Sequence, residues 1–131
     1  MSRTAVPPQT EFTLNLAGEG EFEDAIDVNN LISPRRNPDR WMHSGRFILG
    51  DIVALPIRPG CASTVIGTRL PMMTDEDRNA IASEAFCVLQ QEGVVRMNST
   101  SGAGELWTEP LRAAGFISGT IEANYLKAVK P

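Results

Sequence analysis

The chain has little from which to build a metal or redox centre. His43 is its single histidine, and its two cysteines, Cys61 and Cys87, stand in different parts of the sequence without the paired spacing of zinc ligands. Cys87 falls in an apolar helical run and is expected as a buried free thiol. Ser99, Ser101 and Ser118 have no histidine and acid at a recognisable spacing, which argues against a hydrolase triad. A net charge of -4 argues against broad binding of a phosphate backbone, apart from a local patch at Arg35, Arg36, Arg40 and Arg46. No apolar run approaches the ~20 residues needed to cross a bilayer, and no leader stands out. The expected setting is the cytoplasm.

What is present suits one ordinary domain. With 131 residues, 42% of them hydrophobic and 21% charged, the chain is long enough for a single modest core. Residues 1–10 carry Pro7 and Pro8 and no periodicity, and read as an extended arm before a domain over 11–131. Phe12, Leu14 and Leu16 alternate with Thr13 and Asn15, the period of a strand, and Gly18 and Gly20 then allow a tight turn. Short strands are expected near 24–28, 45–50 and 63–66, and residues 29–44, broken by Pro34 and Pro38, allow a helical turn or two. Thr74 followed by Asp75, Glu76 and Asp77 signals a helix start. Ile81, Ala85, Val88 and Leu89 give that helix one apolar stripe, and Gly93 is expected to end it. A strand at 94–97, a helix over 105–114 stopped by Gly115, and a hairpin turning at Ala123 and Asn124 complete the chain. Alternating strands and helices predict an α/β fold with a mostly parallel sheet and one antiparallel strand from the final hairpin.

In this order the segments resemble the class I S-adenosylmethionine-dependent methyltransferases. The resemblance rests on the strand and Gly-x-Gly turn at 13–20, the acid at Asp27, the Gly50-Asp51 before Leu55-Pro56, and the run Glu84-Ala-Phe-Cys-Val-Leu89 ahead of Gly93. It implies a Rossmann-like sheet of order 3-2-1-4-5-7-6 and S-adenosylmethionine as cofactor. It also implies that Ala17, Gly18 and Gly20 cradle the amino-acid end of that cofactor and that Asp27 bonds its ribose. Leu31 or Ile32 would border the adenine, Asp51 and Ile52 would line it, and Gly67, read as the exit of the fourth strand, would face the sulfonium and the acceptor. Taken singly, Asp27 and Asp51 also read as turn or cap carboxylates.

Two features depart from the family pattern. Too few residues separate Gly20 from Asp27 for the usual first crossover helix, so that helix is expected to be missing or reduced. The turn also carries Glu19 and Glu21, whose charge opposes the cofactor's carboxylate and suits its ammonium or sulfonium. His43 is the one candidate general base, and reads more simply as a loop histidine beside Trp41; Trp41, Met42, Met72, Met73 and Trp107 are candidates to wall an acceptor pocket, and each reads more simply as core packing or interface. The function implied is methyl transfer to a small molecule or protein. The alternatives are a fold retained as a non-catalytic binding or assembly module, and an effector domain cut from a larger protein. With both helices expected on one face, the other sheet face predicts a homodimer or a companion chain, anchored by Trp41 or Met42.

Overall fold

Alternation of period two turns Leu14 and Leu16 of strand β1 (Phe12–Leu16) to one side of the sheet and Thr13 and Asn15 to the other. The computed structural model describes residues 12–32, 37–43, 46–70, 73–99 and 104–131. The arm expected over 1–10, Met72 and part of the 29–44 segment lie outside these residues. The elements that follow are β2 (Ala25–Asn29), β3 (Phe47–Leu49), β4 (Ala62–Leu70), helix α1 (Asp75–Val88), β5 (Leu89–Ser99), helix α2 (Thr108–Ala114), β6 (Ile117–Glu122) and β7 (Tyr125–Val129). They form a seven-stranded sheet in the order β3-β2-β1-β4-β5-β7-β6. The first five strands run parallel, and β7 is antiparallel to both β5 and β6. Order and class are those expected from the sequence.

Local chemistry sets most of the element ends. Thr74 Oγ1 accepts from the Asp77 N–H at 3.1 Å while Asp77 Oδ2 accepts from the Thr74 N–H, a capping box that starts α1 with three acids in its first turn. Gly115, at a φ of 117°, ends α2. Ala123 and Asn124 both take positive φ, the conformation a two-residue hairpin needs to match the twist of its strands.

Two boundaries differ from expectation. Helix α1 ends at Val88, because Leu89 is already extended and Lys130 Nζ donates to the carbonyls of Phe86 and Leu89 at 2.7 and 2.8 Å. Gly93 therefore lies inside β5, and there a Cβ would meet Leu89 Cδ2 at 2.8 Å. Strand β4 likewise runs on to Leu70, so Gly67 sits within it, paired with Leu16 and Met97. Cys87 is exposed rather than buried, since the buried stripe of α1 is Ile81, Ala82, Ala85 and Val88. A residue one step before Val88 turns about 100° away from that stripe.

Both helices pack on the same side of the sheet. Leu14, Leu16, Val28, Val65, Val95 and Met97 meet Ile81, Ala85, Trp107 and Leu111 in one core, and Phe86 stacks edge-on against Phe116 at 5.1 Å. On the opposite face stand Thr13, Asn15, Asp27, Thr64, Ile66, Arg96 and Lys127, placed there by strand alternation and register. Neither α1 nor α2 covers them. Trp41 is only 4% exposed, with its ring edge-on to Phe47 at 5.3 Å. It caps the β3 end of this face from within the chain and is not available as an anchor for a partner.

Candidate functional site

Residues 17–24 join β1 to the parallel strand β2 without a helix. Eight residues at ~3.3 Å each reach about 26 Å, enough to return along a strand of five residues. The loop therefore crosses the sheet face itself, and its first half forms the glycine turn at the carboxyl end of β1. Ala17 begins the turn at a φ of 53° and Gly20 closes it at 80°.

Side chains from β1 and β2 fasten this turn. The Gly18 N–H donates to Val28 O at 3.2 Å, and Asn29 Nδ2 donates to Gly18 O at 3.1 Å. Asp27 Oδ2 accepts from the Gly20 N–H at 3.1 Å while its Oδ1 accepts from Asn15 Nδ2 at 3.1 Å. Asn15 Nδ2 also donates to Glu21 Oε1, which accepts from the Glu19 N–H at 2.6 Å. Asn15, Glu19, Asp27 and Asn29 are all buried. Burial, and then the charge of Glu21, push the Asp27 carboxyl above its ordinary range, against the opposing pull of its bonds to Asn15 and Gly20 and the charge of Arg46. Two buried polar atoms here, Asn15 Oδ1 and Trp41 Nε1, have no hydrogen-bond partner among the described residues. Trp41 packs directly on Gly20, where an added Cβ would meet Trp41 Cβ at 2.8 Å.

The other residues singled out in the sequence are spread along the same edge. Asp51 is exposed just past β3, and its Oδ1 accepts from the Val53 N–H at 3.1 Å, so it holds its own turn as a local cap does. Ile52 is half-buried against the core. Gly67 faces the helices rather than the edge, and a Cβ there would meet Met97 Sδ at 2.5 Å. His43 is exposed. Leu31 follows β2 with its N–H bonded to Asn29 Oδ1 at 2.8 Å, and Ile32 is 80% exposed. Trp107 is fully buried and donates from Nε1 to Ser99 Oγ at 3.0 Å, and Met73 packs on the core, so neither walls an open pocket.

Two further side chains shape this edge through contacts that the sequence did not announce, although Glu84 itself stands in the run that carries the resemblance. Glu84 on α1 reaches across to accept the Leu55 N–H at 2.6 Å and holds down the loop after β3. Tyr125, the only tyrosine, pairs its hydroxyl with Thr68 Oγ1 at 3.1 Å near the carboxyl end of β4. Neither could be found from local pattern, because the partners are 29 and 57 residues apart. Among the described residues no three His, Cys, Asp or Glu side chains converge in a way that could hold a metal ion. No helix among them is long and apolar enough to cross a membrane.

No family model matches this chain, and no curated protein matches it in sequence. Solved structures do match in shape. A methyltransferase of Thermotoga maritima, described as S-adenosylmethionine-dependent and a possible histamine N-methyltransferase, aligns at a TM-score of 0.63 and 14% identity over 92% of this chain and 82% of its own. A geranyl diphosphate methyltransferase in complex with geranyl diphosphate and sinefungin aligns at 0.66 and 10% identity over 95% of this chain and 74% of its own. The cyclase SpnF aligns at 0.57 and 17% identity over 81% of this chain, which spans half of the cyclase's length. At such identities the likeness is one of fold. The strand order, the closing hairpin and these alignments together give the chain the Rossmann-like fold of the class I S-adenosylmethionine-dependent methyltransferases, in a shortened form whose first crossover is a loop.

Proposed function

We propose that this chain binds S-adenosylmethionine along the carboxyl edge of β1, β2 and β3 and transfers its methyl group to a small-molecule or protein acceptor. One observation carries the reading. Strand order reverses between β1 and β4, and the glycine turn stands at that crevice, the position where open α/β sheets hold their ligands.

The residues at the turn suit the cationic part of such a cofactor. Glu19, Glu21 and Asp27 gather negative charge there, which favours an ammonium or sulfonium and opposes a carboxylate. Asn15 Oδ1 and Trp41 Nε1 offer a buried acceptor and a buried donor that no other described residue uses. In this proposal the backbone of residues 17–20 holds the amino-acid end, with Asp27 fixing the turn from beneath. Asp51 and Ile52 border the adenine, and Gly67 keeps β4 close behind. The bound cofactor supplies an already activated methyl group, so the protein's part is orientation, for which effective molarities on the order of 10⁵ M or more are known. His43, exposed two residues after Trp41, is the one imidazole available to take a proton from an acceptor.

A second reading has its own observation. Asp27 is buried, and each of its oxygens already accepts a bond within the chain, from Asn15 and from Gly20, which turns it toward the glycine turn and away from the ribose that the resemblance assigns to it. A fold kept as a binding or assembly module would look like this. Titration calorimetry with S-adenosylmethionine and with S-adenosylhomocysteine separates the two. Saturable heat supports the cofactor site, and a folded sample that gives none at millimolar ligand leaves the module.

A further inference from the structure

The sheet face that carries no helix is stepped, and its two halves differ in charge. Over β1 and β2 it is raised by the chain's own loop, whose Glu21, Phe22, Glu23 and Asp24, with Thr13, Ala25 and Ile66, line a cavity of about 370 Å³. Over β5 and β7, among the described residues, neither helix nor this loop lies on the face, and there Arg96 stands directly opposite Lys127 in the antiparallel register. Like charges in such a pair oppose each other. Lys127 has only a distant ion pair, 3.9 Å to Glu122, and Arg96 has none among the described residues although it is half-buried. On its inner side β5 pairs parallel with β4, and parallel sheet is normally buried on both faces, so at Arg96 this half is short of a cover and of counter-charge together.

From this arrangement we infer that this face is the interface with a second copy of the same chain. β4 is the middle of the seven strands. A two-fold axis lying between two such sheets, above β4 and parallel to the strands, places β5 and β7 of one copy over β1 and β2 of the other. The raised acidic loop of each copy then fills the lower, basic half of its mate. Arg96 and Lys127 meet Glu23, Asp24 and the mouth of the acidic cavity, and the same contact is made twice. Seven strands at ~4.8 Å and five residues at ~3.3 Å give a flat face of roughly 34 by 17 Å, and its corrugation brings the area toward the ~800 Å² per partner of a stable interface. An isologous contact requires one surface that complements itself in shape and in charge, and the step and the two charge fields supply both.

A charge swap tests the inference on the full chain. One variant, Glu23→Lys with Asp24→Lys, reverses the charge at the mouth of the acidic half, and another, Arg96→Glu with Lys127→Glu, reverses that of the basic half. Sedimentation velocity should find the parent dimeric at micromolar concentration and loosened by about tenfold or more between low and high salt. Each variant alone should be monomeric, and an equimolar mixture should restore a dimer. Circular dichroism and thermal melts establish that both variants fold, and a parent that dimerises with the salt response described stands as support if either does not. A parent that stays monomeric, or a dimer that both variants form unchanged, overturns the inference. So does a monomeric parent that binds heparin through Arg96 and Lys127, since the basic half would then serve an anionic partner of another kind.

Discussion

Asp27 occupies the space in which a side chain at Gly18 would have to stand. A Cβ there would collide with Asp27 Oδ1 and lie 2.8 Å from Asn15 Nδ2. Gly18 is thus required by the approach of β2, and its own φ is not positive. The turn and the strand beside it form one hydrogen-bonded unit, from which several consequences can be measured.

Gly18→Ala should destabilise the fold by about 1 to 3 kcal/mol, the usual range for overpacking a buried site. Denaturant titration of parent and variant gives the difference. A variant as stable as the parent would mean that Asp27 swings away without loss, and that the clamp on the turn is weak.

Asp27 also predicts a pH dependence. Its carboxyl ionises less readily in the fold, through burial first and then Glu21, than in the unfolded chain, where it titrates near 3.8. A raised folded value means that its stabilising contribution is fully present below the unfolded pKa and is lost as pH rises through the folded one. Relative to Asp27→Asn, the parent should be at its best below the unfolded value of 3.8 and should lose that advantage as pH rises above it through the folded value. Urea titrations of the pair across that interval decide the matter. An advantage of the parent that grows with pH would show that the bonds from Gly20 and Asn15 outweigh burial.

Asp51 and Asp27 should part company toward S-adenosylmethionine. Asp51→Ala, at an exposed position past β3, should weaken binding about tenfold through loss of a charge-assisted bond and leave stability nearly unchanged. Asp27→Ala should lower stability and binding together, because the turn loses its fastening. Calorimetry combined with melting curves reads both effects. Equal binding by the parent and Asp51→Ala would remove that carboxylate from the adenine side.

Lys130 closes the far end of α1, with its ammonium on two carbonyls and 4.6 Å above the Phe86 ring centroid. Lys130→Met should destabilise by about 1 to 2 kcal/mol, through loss of the bonds and of a cation at a helix C-terminus. Hydrogen exchange should accelerate in the last turn of α1 more than in its first. Uniform acceleration along the helix would indicate a global loss instead.

What could be read from the sequence was what is decided locally. The Thr74 and Asp77 box, the stop at Gly115 and the Ala123–Asn124 turn depend on residues within a few positions of one another. The order of segments carried the sheet topology, and the short gap between Gly20 and Asp27 already showed that a crossover helix would not fit. The misreadings have distant causes. Gly93 looked like the end of α1, but Lys130, 41 residues beyond Leu89, fixes that end earlier. Gly67 looked like a strand exit, but pairing on both sides carries β4 past it. Trp41 looked like a surface anchor because nothing near it in sequence announces that the turn at Gly20 packs on it.

The loop that replaces the first crossover also shortens the search the chain makes while folding. Asn15 and Asp27 meet across β1 and β2 only 12 positions apart, where a crossover with a helix takes about 30 residues. By polymer scaling, closing the shorter loop is easier by about 0.8 kcal/mol. Parallel pairing is ordinarily late because it waits on long loops. Here the β1–β2 pair has nearly the locality of a hairpin, and it is expected to be formed at the rate-limiting barrier. Conservative truncations such as Val28→Ala should then slow folding more than they speed unfolding, and the opposite pattern would place the nucleus around α1 and β5.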